Sequence, residues 1–238
     1  MLPVAILAGG QATRLRPMTE TVPKSLLELN GEPFVVHQLR LLRSKGIARV
    51  VLCVSHLGDL IERSVGNGQA FDIQVDYSFD GPTLLGTAGA IKNALPRVGE
   101  TFFAMYGDSY LLCDYAAIAR SFVSSGMPAM MTVFRNDGKW DTSNVEFEDG
   151  KILAYSKTNR TPSMRYIDYG LGVFRAEAFD DVPVGKPYDL AEVYADLLRR
   201  KQLAAYEVKE RFYEIGSPAG LRETAEFLSM QEANQQHS

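Results

Sequence analysis

Pro3-Val4-Ala5-Ile6-Leu7-Ala8-Gly9-Gly10-Gln11-Ala12-Thr13-Arg14-Leu15-Arg16 begins as an unbroken apolar run, stops on two glycines and then turns basic. A short run without polar alternation reads as a strand buried on both faces. A strand that ends in paired glycines can bring bare backbone N–H groups close to phosphate oxygens. Arg14 and Arg16 supply rigid guanidinium forks, and Lys24, after Pro23, supplies a mobile point charge. A glycine pair alone is an ordinary turn, whereas the whole string reads as a cradle for a triphosphate. It is neither of the two common nucleotide loops: Gly-x-x-x-x-Gly-Lys-Ser/Thr and Gly-x-Gly-x-x-Gly are both absent.

Working outward, buried strands and amphipathic helices alternate. A helix is predicted from Pro33, with Val35, Val36, Leu39 and Leu42 on one face and Gly46 as its stop. Residues 48–54, 73–77 and 101–106 read as strands, and 60–65 and 87–95 as helices. Asp114 caps a helix in which Tyr115, Ile118, Ala119, Phe122 and Val123 repeat at helical spacing. After Ala129 the pattern changes to strands at 130–134, 145–147, 152–155 and 167–174, with Glu148-Asp149-Gly150-Lys151 as a hairpin turn. Helices return at 189–200 and 217–230. Strands joined by helices imply a parallel sheet covered on both faces. The expected fold is α/β: a Rossmann-like three-layer sandwich with a mixed, mainly parallel sheet and an antiparallel substrate lobe. One domain is expected over residues 1–230, followed by a polar tail at 231–238.

The 238 residues carry a net charge of -4 and no long basic run, which argues against a nucleic-acid surface. No run is apolar enough to span a bilayer, and the N-terminus lacks the pattern of a signal peptide, so a cytoplasmic, non-membrane protein is expected. Cys53 and Cys113 give no disulfide framework or zinc spacing and read as buried thiols. His37 and His56 form no triad or metal set with them and read as structural, and Met127, Met130 and Met131 read as core fillers.

Further candidates follow from position. Asp108 lies just past the 101–106 strand, where open α/β sheets bind ligands, and suits a Mg²⁺ ion that prefers few carboxylates plus phosphate oxygens. Its alternative is a capping aspartate in a turn. Leu85-Gly86-Thr87-Ala88-Gly89-Ala90 opens a helix whose N-terminus favours an oxygen acceptor, although close helix-to-sheet packing explains the small residues equally well.

The string from Leu7 to Leu15, with Pro23-Lys24, resembles the signature of sugar-phosphate nucleotidylyltransferases, Leu-Ala-Gly-Gly-x-Gly-Thr-Arg-Leu followed by Pro-Lys. Later landmarks come in the family's order across nearly the whole chain. The resemblance implies nucleotide contacts from Leu7, Ala8, Gly9, Gly10, Thr13, Gly86 and Thr87, with Gly89 at the sugar phosphate. It implies that Arg14 contacts the triphosphate and the departing pyrophosphate, that Lys24 stabilises the phosphate under attack, and that Asp108 binds Mg²⁺. Glu214, in Phe212-Tyr213-Glu214-Ile215-Gly216-Ser217, stands where the family has its second metal aspartate; the alternative is a surface glutamate before a capped helix. Lys157, in Ala154-Tyr155-Ser156-Lys157, resembles the lysine of the family's Glu-Lys pair that holds the sugar phosphate, with Ser156 in place of the Glu; otherwise it is a solvated lysine. Asp168 and Gly170 correspond to the family's sugar-site segment. Ala12, where the family has Gly, disfavours a positive φ.

The resemblance implies a nucleoside triphosphate and a sugar 1-phosphate as partners, with Mg²⁺ as cofactor; a homo-oligomer is compatible with it. The Leu-Gly-Thr-x-Gly-Ala-Ile-Lys pattern is most similar to short heptose-1-phosphate guanylyltransferases, which puts GTP first. Asp80 is the candidate reader of guanine's two adjacent donors, against a plain Asp-Gly-Pro turn. Uridylyl transfer to N-acetylmuramate 1-phosphate or a hexose 1-phosphate, a non-sugar phosphate acceptor, and a non-catalytic binding subunit are the alternatives.

Overall fold

The computed structural model describes residues 1–10 and 13–236, without the side chains of residues 13, 235 and 236. Gln11 and Ala12, and with them the expected effect of Ala12 on the loop, lie outside the described residues. In chain order the elements are β1 (Val4–Leu7), β2 (Glu28–Leu29), β3 (Glu32–Pro33), α1 (Phe34–Ser44), β4 (Arg49–Val54), α2 (Gly58–Val65), β5 (Gln74–Phe79), α3 (Gly86–Val98), β6 (Thr101–Tyr106), β7 (Ser109–Leu111), α4 (Tyr115–Ser125), β8 (Ala129–Arg135), β9 (Val145–Glu148), β10 (Lys151–Tyr155), β11 (Tyr166–Arg175), α5 (Leu190–Arg199), β12 (Leu203–Val208), β13 (Phe212–Glu214) and α6 (Pro218–Gln236).

A mixed, mainly parallel sheet runs through the molecule. β5, β4, β1 and β6 are mutually parallel neighbours; β11 runs antiparallel to β6 on one edge and to β8 on the other, and β12 pairs in parallel with β8. The β9–β10 hairpin joins at the start of β11 through Val145 and Tyr166. Its turn uses Asp149 and Gly150, both at positive φ, as the sequence predicts.

Alternation along each strand divides the core in two. Val4, Ile6, Val50, Leu52, Phe103 and Met105 pack towards α1, α2 and α4. Ala5, Val51, Cys53, Phe102 and Ala104 face the other way, onto α3 and α5. This is the three-layer arrangement expected of a strand run that is apolar at every position. Met130 and Met131 are buried on opposite faces, and burial pushes both cysteine thiols up to about 12. His37 is buried with Nε2 2.9 Å from the Leu29 carbonyl, a structural role, while His56 is exposed at the end of β4.

Three features depart from the sequence reading. β12 is an added parallel strand, and β7 pairs antiparallel with β13 in a separate two-stranded sheet. α6 continues to Gln236, so the expected tail begins inside a helix; Glu, Ala and Gln sustain it by intrinsic propensity after the apolar pattern stops at Met230.

The ends of β1 and β6 touch. Gly107 N–H donates to the Leu7 carbonyl at 3.1 Å, and a Cβ on Gly107 would stand 2.5 Å from that oxygen. Since the neighbour is backbone, it cannot swing away. Gly107→Ala should cost about 1–3 kcal/mol of stability by overpacking, read as a lowered midpoint in urea unfolding; an unchanged midpoint would show that the strand ends have slack.

Candidate active site

The strand ends supply the floor of a cleft. Leu7, Ala8, Gly9 and Gly10 line it on one side, and Asp80, Gly86 and Thr87 on the other. Ser55 hydroxyl donates to the Gly9 carbonyl at 2.5 Å, and a Cβ on Gly9 would sit 3.0 Å from that hydroxyl oxygen. A side chain at position 9 would thus be tight against Ser55. A Cβ on Gly10 would meet nothing within 4 Å, so its backbone is open to the cleft.

Lys24 and Asp108 stand at the centre. Lys24 Nζ donates to Asp108 Oδ2 at 2.7 Å, with the two side chains 18% and 28% exposed. Asp108 follows β6 directly, and its carbonyl accepts the Ile215 amide at 2.9 Å, which carries Glu214 to its side through the β7–β13 pairing. Glu214 Oε2, an Arg14 guanidinium nitrogen and Asp108 Oδ2 lie 2.6, 3.1 and 3.2 Å from the point a Gly216 Cβ would occupy. Three of the predicted charged residues thus converge on one glycine, and Lys24 reaches one of them, Asp108.

This donor set fits a divalent cation of the Mg²⁺ type: two carboxylates beside a space only glycine leaves open, with the remaining ligands left to phosphate and water. Among the described residues no cluster of three or more His, Cys, Asp or Glu could hold a metal by itself. Glu214 is bent back on α6: Oε2 accepts the Gly216 amide, and Oε1 accepts the Ser217 hydroxyl at 2.7 Å.

A second cavity holds Lys157, Asp168 and Gly170 with Arg14, Asn144 and Arg160, and shares Tyr106 and Asp108 with the first. Asp168 accepts the Gly170 amide at 3.0 Å and lies 3.4 Å from the Tyr106 hydroxyl. Burial, opposed by the Gly170 hydrogen bond and by the charge of Lys157, raises its carboxyl to about 6. Lys157 donates to Asp189 Oδ1 at 2.9 Å.

Other predicted residues are placed differently from the sequence reading. Asp80 lines the first cleft, but its Oδ2 accepts the Leu85 amide at 3.1 Å, as a turn aspartate does. Burial raises its carboxyl. The α3 N-terminus is partly covered: the Tyr188 carbonyl accepts from the Ala88 and Gly89 amides at 2.9 and 3.3 Å, while Gly86 and Thr87 line the cleft. Gly89 lies under this strap, its Cβ position 2.9 Å from the Lys186 carbonyl, and lines neither cavity. Thr87 turns its hydroxyl to Asp189. The side chain of Thr13 is outside the described residues. Tyr106, Asn144, Arg160 and Asp189 were not picked out from sequence. Asp189 carried a signal only as the predicted start of a helix; for the other three the pattern offered none.

A family model described as nucleotidyl transferase matches residues 4–231. The chain belongs to the nucleotidyl transferase family. Among relatives, an N-acetylmuramate alpha-1-phosphate uridylyltransferase of Neisseria meningitidis is 28% identical over 92% of this chain and 94% of its own length. A UTP–glucose-1-phosphate uridylyltransferase of Synechocystis is 30% identical over 78% of this chain, which spans about half (52%) of that protein. Among solved structures, HddC from Yersinia pseudotuberculosis complexed with GMP-PN superposes with a TM-score of 0.79 at 26% identity, covering 96% of this chain and 100% of that one. The family's Leu-Ala-Gly-Gly loop is thus the floor of this cleft. No described helix is long and apolar enough to cross a membrane.

The Asp168 carboxyl gives a test independent of turnover. Its folded value of about 6 lies above the ordinary 3.8, so the folded state binds more protons between those values. This contribution to stability is greatest below about pH 4 and is lost as pH rises through 6. Asp168→Asn, which keeps an acceptor for Gly170, should raise Tm at pH 7.5 and leave it nearly unchanged at pH 4; an equal change at both values would remove the ionisation argument.

Proposed function

We propose that this nucleotidyl transferase moves a nucleotidyl group from a nucleoside triphosphate to a sugar 1-phosphate and releases pyrophosphate. The observation that supports this reading is the meeting of two cavities at Asp108 and Tyr106, one floored by the glycine loop and the other holding Lys157 and Asp168. An oxygen of the sugar phosphate attacks the α-phosphorus, the bond to the β-phosphate oxygen breaks, and pyrophosphate carries away the electron pair. The nucleophile is already anionic, so the site needs no general base. Its work is to bring polyanions together and offset charge in the transition state.

In this reading Arg14 and Lys24 face the triphosphate and the phosphorus under attack. Lys157 holds the sugar phosphate, and Asp168 with Gly170 meets sugar hydroxyls. Asp108, with Glu214, would hold Mg²⁺, which supplies charge neutralisation on the phosphate oxygens. The convergence of Arg14, Lys24 and Asp108 favours an enzyme over a non-catalytic binding subunit. Residues 1–230 form the proposed catalytic unit.

For the substrates, the guanylyl reading comes first: D-glycero-D-manno-heptose 1-phosphate and GTP, supported by the likeness to HddC held with GMP-PN. The uridylyl reading, with N-acetylmuramate 1-phosphate as acceptor, is supported by the Neisseria enzyme that this chain matches nearly end to end. Asp80 remains the proposed base-side residue through its half-buried carboxylate.

The deciding experiment is turnover with Mg²⁺, a panel of triphosphates and sugar phosphates, and detection of pyrophosphate. Asp108→Asn should abolish turnover without loss of fold, and Lys24→Ala should lower kcat by roughly 10²–10³. A folded Asp108→Asn variant with wild-type turnover would remove Asp108 from the metal role.

If Asp80 reads guanine, Asp80→Asn should cost about 1–3 kcal/mol in kcat/KM for GTP and little for UTP. An unchanged ratio would leave Asp80 as the turn residue that its Leu85 hydrogen bond describes.

A further inference from the structure

We infer that Asp189 is a positioning residue for Lys157, supplying from the N-terminus of α5 the carboxylate that the neighbouring Ser156 cannot. This rests on the reading above that Lys157 holds the sugar phosphate. Asp189 is the N-cap of α5: its Oδ1 accepts the Ala191 amide at 2.8 Å. The same oxygen accepts from Lys157 Nζ at 2.9 Å and from the Thr87 hydroxyl at 3.2 Å. Thr87 in turn accepts the Leu190 amide at 2.7 Å.

Three elements are thereby tied at one atom: the end of β10 through Lys157, the start of α3 through Thr87, and the start of α5. The backbone beneath is doubly fastened, because Tyr188 N–H donates to the Leu85 carbonyl at 2.8 Å and the Tyr188 carbonyl accepts from α3. Gly86 makes this approach possible, since its Cβ would lie 2.7 Å from that carbonyl. Asp189 is thus on a rigid mount and cannot follow Lys157 outward.

Lys157 itself has no such support. It follows β10 in an exposed segment, its side chain is 40% exposed, and lysine carries high rotamer entropy. Ser156 spends its hydroxyl accepting the Thr158 and Asn159 amides. Asp168, which lines the same cavity as Lys157, is held by Gly170 and Tyr106. Without Asp189 the ammonium has no fixed anchor and must be ordered by the substrate alone. A preset lysine spares that entropy at the moment the sugar phosphate binds. Because Thr87 lines the nucleotide-side cleft, the same atom connects the two substrate cavities.

Asp189→Asn and Asp189→Ser separate anchoring from capping. Both are strong N-caps and should keep Tm, but Asn has lost the charge and Ser also the reach to Lys157. Each should raise the sugar-phosphate KM by about fivefold, the scale of a partly exposed ion pair, with the triphosphate KM and kcat little changed. In a Lys157→Ala background neither should add anything further. Three outcomes overturn the proposal: a sugar-phosphate KM unchanged in the folded variants; a lowered one, meaning that Asp189 competes with the phosphate; or equal rises for both substrates, meaning a purely structural role. If Lys157→Ala itself leaves the sugar-phosphate KM unaltered, the preceding assignment of Lys157 falls too, and the two failures are told apart by that variant.

Discussion

The site depends on three parallel strands that stop at the same level. Leu7 pairs in register with Cys53 on one side and Tyr106 on the other. One residue later Ala8 N–H still bonds to the Cys53 carbonyl at 2.9 Å, and Gly107 N–H to Leu7 at 3.1 Å. Past this line the ladder ends, and backbone donors have no strand to bond. The loops that leave β1, β4 and β6 are then pressed together: a Cβ at Gly107 would clash with the Leu7 backbone, and one at Gly9 would be tight against Ser55. The same geometry brings Asp108 under Lys24. Parallel pairing, a consequence of apolar runs buried on both faces, thus comes before any of the chemistry.

That part of the molecule was legible because its signals are local. Val4 to Leu7 and Thr101 to Tyr106 are strands by composition, and the residue after such a strand in an α/β sheet is a site by topology. The first four helices and the β9–β10 turn were legible for the same reason: period, caps and glycines lie within one window. What escaped is held by contacts distant in sequence. β13 is only three residues long and forms by pairing with β7 about a hundred residues earlier, so no window around Glu214 contains its reason. β12 is half-buried from Leu203 to Glu207, with only Val208 fully buried, so its register is set by lying on β8.

The small residues of Leu85 to Ala90 show how a correct signal can support two causes. Glycine at 86 and 89 was open to reading as room for a base or for close packing. In the structure the packing cause is explicit at both positions, since the Tyr188 and Lys186 carbonyls would collide with a Cβ. Two amides at the start of α3, those of Ala88 and Gly89, are taken by the Tyr188 carbonyl. The strap from residue 186 to 188 did not register as a partner in sequence, because nothing in Lys186-Pro187-Tyr188 marks it as meeting a helix a hundred residues away.

Both candidate phosphate-binding lysines rest on a carboxylate in the free protein, Lys24 on Asp108 and Lys157 on Asp189. The pairs differ in depth. Lys24 and Asp108 are less exposed than Lys157 and Asp189, so water and salt screen the first attraction less. Lys24 is therefore the more tightly held, and its partner Asp108 is the carboxylate that meets Arg14 and Glu214 at Gly216. Asp108 thus holds Lys24 in place through the 2.7 Å contact before any substrate arrives. A phosphate that enters must compete with that pairing, and it can do so because it brings more than one charge. Asp108 cannot serve Lys24 and a divalent cation through the same Oδ2 at full strength, so positive charge gained at Asp108 weakens its hold on Lys24. The carboxylate that pairs with the lysine is thus the group whose change of partner would free it for a phosphate.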